Sequence, residues 1–112
     1  MNHIKYSGIV ARVTAYTNAE VKIDKDDVTR FIEREHYFEF TLVNSEWNEN
    51  SWIKVRFPKE KETNWIEYFK AYPPEDITML GVEGELKTEV GFGSGVVRNY
   101  IEVKKVLHIV KK

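Results

Sequence analysis

Residues 37–57 read YFEFTLVNSEWNENSWIKVRF, two runs of alternating character joined by a polar loop with a tryptophan on each side. Phe38, Phe40 and Leu42 fall on one side of the first run. Ile53, Val55 and Phe57 fall on one side of the second. Period-2 alternation marks half-buried strands, because successive side chains point to opposite faces of a sheet. The other faces carry Tyr37, Glu39, Thr41 and Val43, then Trp52, Lys54 and Arg56. A core-facing hairpin has no need of a ring and two cations in line on its solvent side. A platform for stacking bases and holding phosphates does.

Working back toward the N-terminus, residues 4–16 form a first strand, with Ile9, Ala11 and Val13 on one side and Val10, Arg12, Thr14 and Tyr16 on the other. Gly8 interrupts it, either as a bend that lets one strand serve both sheets of a small barrel or as an incidental glycine. Residues 17–36 break the alternation. The cluster Asp24-Lys25-Asp26-Asp27 followed by Val28, Phe31 and Ile32 predicts a long, partly helical loop between the first two strands. Its acids do not form a calcium loop, since Val28 and Thr29 stand where an oxygen ligand and a glycine are needed.

Toward the C-terminus, Asn64 with Glu67 makes a capping box for a short helix with an apolar stripe of Trp65, Ile66, Phe69 and Tyr72, ended by Pro73-Pro74. Trp65 belongs to the core on this reading. Residues 78–90 give a fourth strand with Leu80, Val82 and Leu86 inward and Glu83, Glu85, Lys87 and Glu89 outward, bent at Gly81 and Gly84. GFGSGVV is a loop tip carrying Phe92, and RNYIEVKKVLHIVKK supplies a fifth strand with Ile101 and Val103 inward and Tyr100, Glu102 and Lys104 outward. The fold class expected is all-β with one short helix: a single domain over 1–112, a five-stranded Greek-key OB-fold barrel.

Composition narrows the function. The chain of 112 residues is 42% hydrophobic and 31% charged, with net charge −1 and no cysteine. Disulfides, thiol catalysis and cysteine-ligated zinc are excluded. His3, His36 and His108 lie in separate elements without metal spacing, and no nucleophile elbow, P-loop or dinucleotide fingerprint occurs, so neither enzyme nor cofactor is expected. No apolar run approaches the ~20 residues of a membrane span, and MNHIKYSG lacks the apolar region of a signal peptide, so a cytoplasmic protein is expected. The near-neutral charge requires any polyanion site to be a local basic stripe. The candidate nucleic-acid-binding residues are Trp52, Lys54 and Arg56, extended by Trp47 and Tyr100 and flanked by Tyr16, Arg12, Lys87, Phe92 and Arg98. Burial beneath the 17–36 excursion is the competing place for Trp52, and the outward Glu39, Glu83, Glu85 and Glu102 dilute the stripe.

At these residues the chain resembles the bacterial and phage single-stranded-DNA-binding family. Phe40-Thr41-Leu42-Val43-Asn44-Ser45-Glu46-Trp47 is similar to its second strand and Trp52-Ile53-Lys54-Val55-Arg56-Phe57 to its third. Val82-Glu83-Gly84-Glu85-Leu86-Lys87-Thr88 resembles its fourth-strand signature, and Tyr6-Ser7-Gly8-Ile9-Val10 its opening strand. The resemblance implies single-stranded DNA as the partner, stacking at Trp47 and Trp52, basic contacts at Lys54, Arg56 and Lys87, and a homodimer or homotetramer. Three departures stand out: the longer 17–36 insertion, the acids within the barrel, and an ending at Lys111-Lys112 without the family's acidic tail, which puts tail-mediated recruitment in doubt. The rival is an OB module that docks another protein, favoured by the neutral charge and outward glutamates.

Overall fold

A computed structural model describes residues 3–16, 19–23, 28–32, 35–44, 51–59, 64–91 and 93–112. The alternating stretches form the strands: β1 (His3–Ala15), β4 (His36–Asn44), β5 (Ser51–Pro58), β6 (Ile77–Val90) and β7 (Val97–Lys111). They close into a barrel in the order β1-β4-β5-β7-β6. Strand β1 is shared, pairing with β6 through its first half and with β4 through its second. The β5–β7 contact is parallel, over Lys54–Arg56 against Tyr100–Glu102. Closure with this order is the OB barrel.

The inward side chains follow from the pleat. Phe40, Leu42, Val55, Phe57, Leu80, Val82, Ile101 and Val103 are fully buried. Helix α1 (Trp65–Ala71) lies between β5 and β6 in sequence; Asn64 accepts a hydrogen bond from the Glu67 amide at 3.2 Å, and a 3-10 turn at Pro74–Asp76 follows. Its buried residues, Trp65 and Phe69, pack edge-on to Phe57 with ring centroids 4.9 and 4.8 Å away, and Phe69 also meets Phe38 at 4.8 Å. Such aromatic pairs each contribute roughly 0.5–1.5 kcal/mol beyond area burial. The helical stripe is narrower than expected, because Ile66 and Tyr72 are exposed.

Two further expectations are corrected. The partly helical loop between the first two barrel strands is a two-stranded antiparallel sheet, β2 (Ala19–Ile23) with β3 (Val28–Ile32), paired from Ala19↔Ile32 to Ile23↔Val28. The physical reason is in the residues: Ala19, Val21 and Ile23 alternate with Glu20 and Lys22, and β-branched side chains disfavour helix while favouring strand. The Asp24–Asp27 cluster lies outside the described residues. In β1 the irregularity falls at Ala11, between the pairs Val10↔Leu42 and Arg12↔Thr41. The extra residue reverses the inward phase, so that Val10 and Val13 pack on the core while Ile9 is half exposed. Gly8 instead permits a close approach, since a Cβ there would stand 2.8 Å from the Val43 carbonyl oxygen. The bends at Gly81 and Gly84 coincide with register shifts between β6 and β7.

Candidate nucleic-acid interface

Strand register sorts the outward side chains of β1, β4, β5, β7 and β6 into rows around the barrel. One row runs Arg12, Thr41, Lys54, Tyr100, Lys87, each the register partner of the next. The adjacent row runs Thr14, Glu39, Arg56, Glu102, Glu85. The pleat separates them by two residues, about 6.6 Å along the strands. Cations and a ring occupy the first row; the acids that dilute the stripe occupy the second. Glu83 lies elsewhere, between Lys5 and Lys105 in register, with its carboxylate 2.6 Å from His3 Nε2.

Trp52 stands one further step along β5, opposite Val43. It is 56% exposed and so is not buried by the insertion. Its ring, Ile53, Lys54, Arg98 and Asn99 line an open groove of about 390 Å³. Arg98 is exposed and makes no ion pair among the described residues. Lys54 approaches Glu39 at 3.4 Å, and Lys87 pairs with Glu102 at 2.8 Å, as does Lys104 at 3.0 Å.

Arg56 is on the expected face but is held by two carboxylates. Its Nε donates to Glu39 Oε2 at 2.7 Å, and Nη1 and Nη2 donate to the two oxygens of Glu89 at 2.8 and 2.7 Å. The Tyr100 ring centroid lies 4.1 Å from its central carbon. Only 13% of the Arg56 side chain is exposed. Burial works against its charge, but hydrogen bonds to Glu89 and Glu39 outweigh burial and push its pKa up. Glu39 is the converse: burial raises its pKa, and the hydrogen bond and charge of Arg56, with Lys54, more than reverse this. Glu89 falls below the usual carboxylate value chiefly through its hydrogen bond to Arg56.

The other expected residues are distributed unevenly. Tyr16 packs edge-on against His36 with centroids 4.8 Å apart. It lies four residues beyond Arg12, just past the end of β1 and roughly 13 Å away, and does not line the groove. Arg12 shares the Lys54 row but is two strands away. Trp47 and Phe92 lie outside the described residues. Glu89 and Asn99 were not anticipated. Glu89 was readable as one more outward acid of β6, but its partner is 33 residues distant in sequence. Asn99 has the wrong parity for an outward position, and is exposed because it lies at the barrel rim beside the 91–96 tip.

Among the described residues, no group of His, Asp and Glu is arranged to hold a metal ion, and no helix is long and apolar enough to cross a membrane. No family model matches this chain, and no curated protein matches it in sequence. Among solved structures it is similar to the crystal structure of a small single-stranded DNA binding protein from Mycoplasma pneumoniae. The TM-score is 0.59 over 96% of this chain and 93% of that one, at 12% identity. The two chains share one fold. At that identity the likeness lies in the path of the backbone, and the groove must be judged on its own side chains.

Proposed function

We propose that the protein binds single-stranded DNA with little sequence preference. The observation that carries this reading is the exposed Trp52 ring in a groove with Lys54 and Arg98, on a barrel whose fold is also that of a single-stranded DNA binding protein. One base stacks on Trp52, a contact worth about 1–3 kcal/mol and indifferent to base identity. Tyr100 offers a second ring. Arg98, Lys54 and Lys87 meet phosphates, Arg12 continues the path around the barrel, and Arg56 packs on the Tyr100 ring. Trp47 and Phe92, which lie outside the described residues, belong to the same proposal as further stacking rings. The role is protection or presentation of single strands in replication or recombination.

The test is tryptophan fluorescence titrated with oligo-dT at two salt concentrations. Binding quenches emission and weakens as salt rises, with a shallow slope because Lys54 and Lys87 already face Glu39 and Glu102. Unchanged emission at low salt in the presence of excess oligo-dT removes the reading.

Self-association into a homodimer or homotetramer belongs to the same proposal. Ile9, Met79 and Val110 are register partners across β1, β6 and β7, and all three are exposed, which supplies an apolar row for a second copy. Sedimentation at micromolar concentration checks it, a monomer at all concentrations being the contrary result.

A further inference from the structure

The outer half of the Arg56 guanidinium is already gripped in the geometry that suits a phosphate. A carboxylate and a phosphate both accept two parallel N–H bonds from the arginine fork. Glu89 does so through both oxygens, at 2.8 and 2.7 Å. The two carboxylates on Arg56 are not equivalent. Glu39, on Nε, is 7% exposed and sits in the row between Thr14 and Arg56. Glu89 is 43% exposed and stands at the neck of the β6–β7 hairpin, in register with Arg98 of the groove. One is a buried anchor that keeps the fork aimed outward. The other occupies the fork from the solvent side.

Resting on the nucleic-acid reading above, we infer that Glu89 is an internal stand-in for a DNA phosphate, which must leave the Arg56 fork before a backbone phosphate can enter. The exchange is one anion for another on a guanidinium that stays charged and stays over Tyr100. It raises the threshold for binding: an isolated anion of low local density does not displace a tethered carboxylate, whereas a strand already held by Trp52 and Arg98 presents its next phosphate at high effective concentration. The barrel is thereby selective for polymeric strands over free nucleotides, although every base has a ring face to stack.

The experiment compares oligo-dT binding to the wild-type chain, Glu89→Gln and Glu89→Ala, with Glu85→Gln as a control that removes the same charge from the same strand two rows away, in register with Glu102. Both Glu89 variants should bind about tenfold more tightly at low salt, the worth of one charge-assisted contact. Their log–log salt dependence should steepen by about 0.7, one more phosphate neutralised on a single strand. Thymidine monophosphate should compete measurably against the variants and not against the wild type. Equal gains in Glu85→Gln and Glu89→Gln would mean diffuse charge alone and overturn the inference. Wild-type quenching with no gain in either folded Glu89 variant overturns it too, while leaving the binding function in place. Absence of quenching in wild type and variants alike removes the function and this inference together.

Discussion

The ring of Tyr100 lies over the guanidinium of Arg56, 4.1 Å from centroid to central carbon, and Arg56 is in turn fixed by the buried carboxylate of Glu39 at 2.7 Å. The Tyr100 ring, the register partner of Lys54 beside the groove, therefore rests against an ion pair. Removing Arg56 leaves Glu39 with Lys54 at 3.4 Å and the His36 ring nitrogen at 3.9 Å. Loss of one partner from a buried pair costs about 3–5 kcal/mol, most of it the uncompensated charge. Arg56→Met should lower stability by about 3 kcal/mol in urea denaturation, and adding Glu39→Met should restore most of the loss. A double variant no more stable than Arg56→Met would show that the coupling lies elsewhere.

Trp52 separates function from folding. More than half of it is exposed and it lies outside the buried cluster, so truncation leaves little cavity. Trp52→Ala should leave the melting temperature within about 2 °C, the usual range for a surface change of ~0.5 kcal/mol. Affinity for oligo-dT should fall by about 1–3 kcal/mol. Unaltered affinity in a folded variant would take Trp52 out of the site.

Three carboxylates on this face, Glu39, Glu89 and Glu102, have pKa values lowered from 4.5. For Glu39 and Glu102 burial pulls upward and is outweighed by Arg56 and by Lys87 with Lys104; for Glu89 the Arg56 hydrogen bond leads. A carboxyl with a depressed folded pKa takes up its proton later than the unfolded chain as pH falls. Its stabilisation is thus complete above the unfolded value and is lost on descent through the folded one. The urea midpoint should hold nearly level from about pH 7 to 5 and drop below about 4.5, with a weaker drop in Glu39→Gln. A midpoint unchanged down to pH 3 would contradict these ion pairs.

The barrel was legible because its core strands are long enough for alternation to be unambiguous. Phe38 to Leu42 and Ile53 to Phe57 each give three inward apolar residues, and Asn64 with Glu67 marks the helix start. The stretches at 19–23 and 28–32 have five residues each, a length at which strand and helix patterns overlap, and the aspartates between them favoured the helical choice. The β1 phase was misjudged because one inserted residue at Ala11 inverts everything before it. On the outer face, parity placed Trp52, Lys54 and Arg56 together. The partners that set their chemistry, Glu39 and Glu89, lie 17 and 33 residues from Arg56 and meet it only through strand register.

Gly84 ties the barrel's stability to this face, for a reason different from that of the tip glycines. A Cβ at Gly84 would lie only about 2.1 Å from the Glu102 carbonyl oxygen and 3.0 Å from the Val103 Cα, both backbone atoms that cannot swing aside. Gly84→Ala must push β6 from β7 beside Glu102, the carboxylate that holds Lys87 and Lys104. Overpacking of this kind costs about 1–3 kcal/mol, and the displacement should also weaken oligo-dT binding. Gly93, at φ 81°, has open space around its Cβ position, so Gly93→Ala carries only the left-handed backbone penalty of roughly 1 kcal/mol and displaces nothing. Urea denaturation and oligo-dT titration of the two variants side by side should show Gly84→Ala as the more damaging in both readouts. The reverse order would place the tight β6–β7 contact somewhere other than at Gly84.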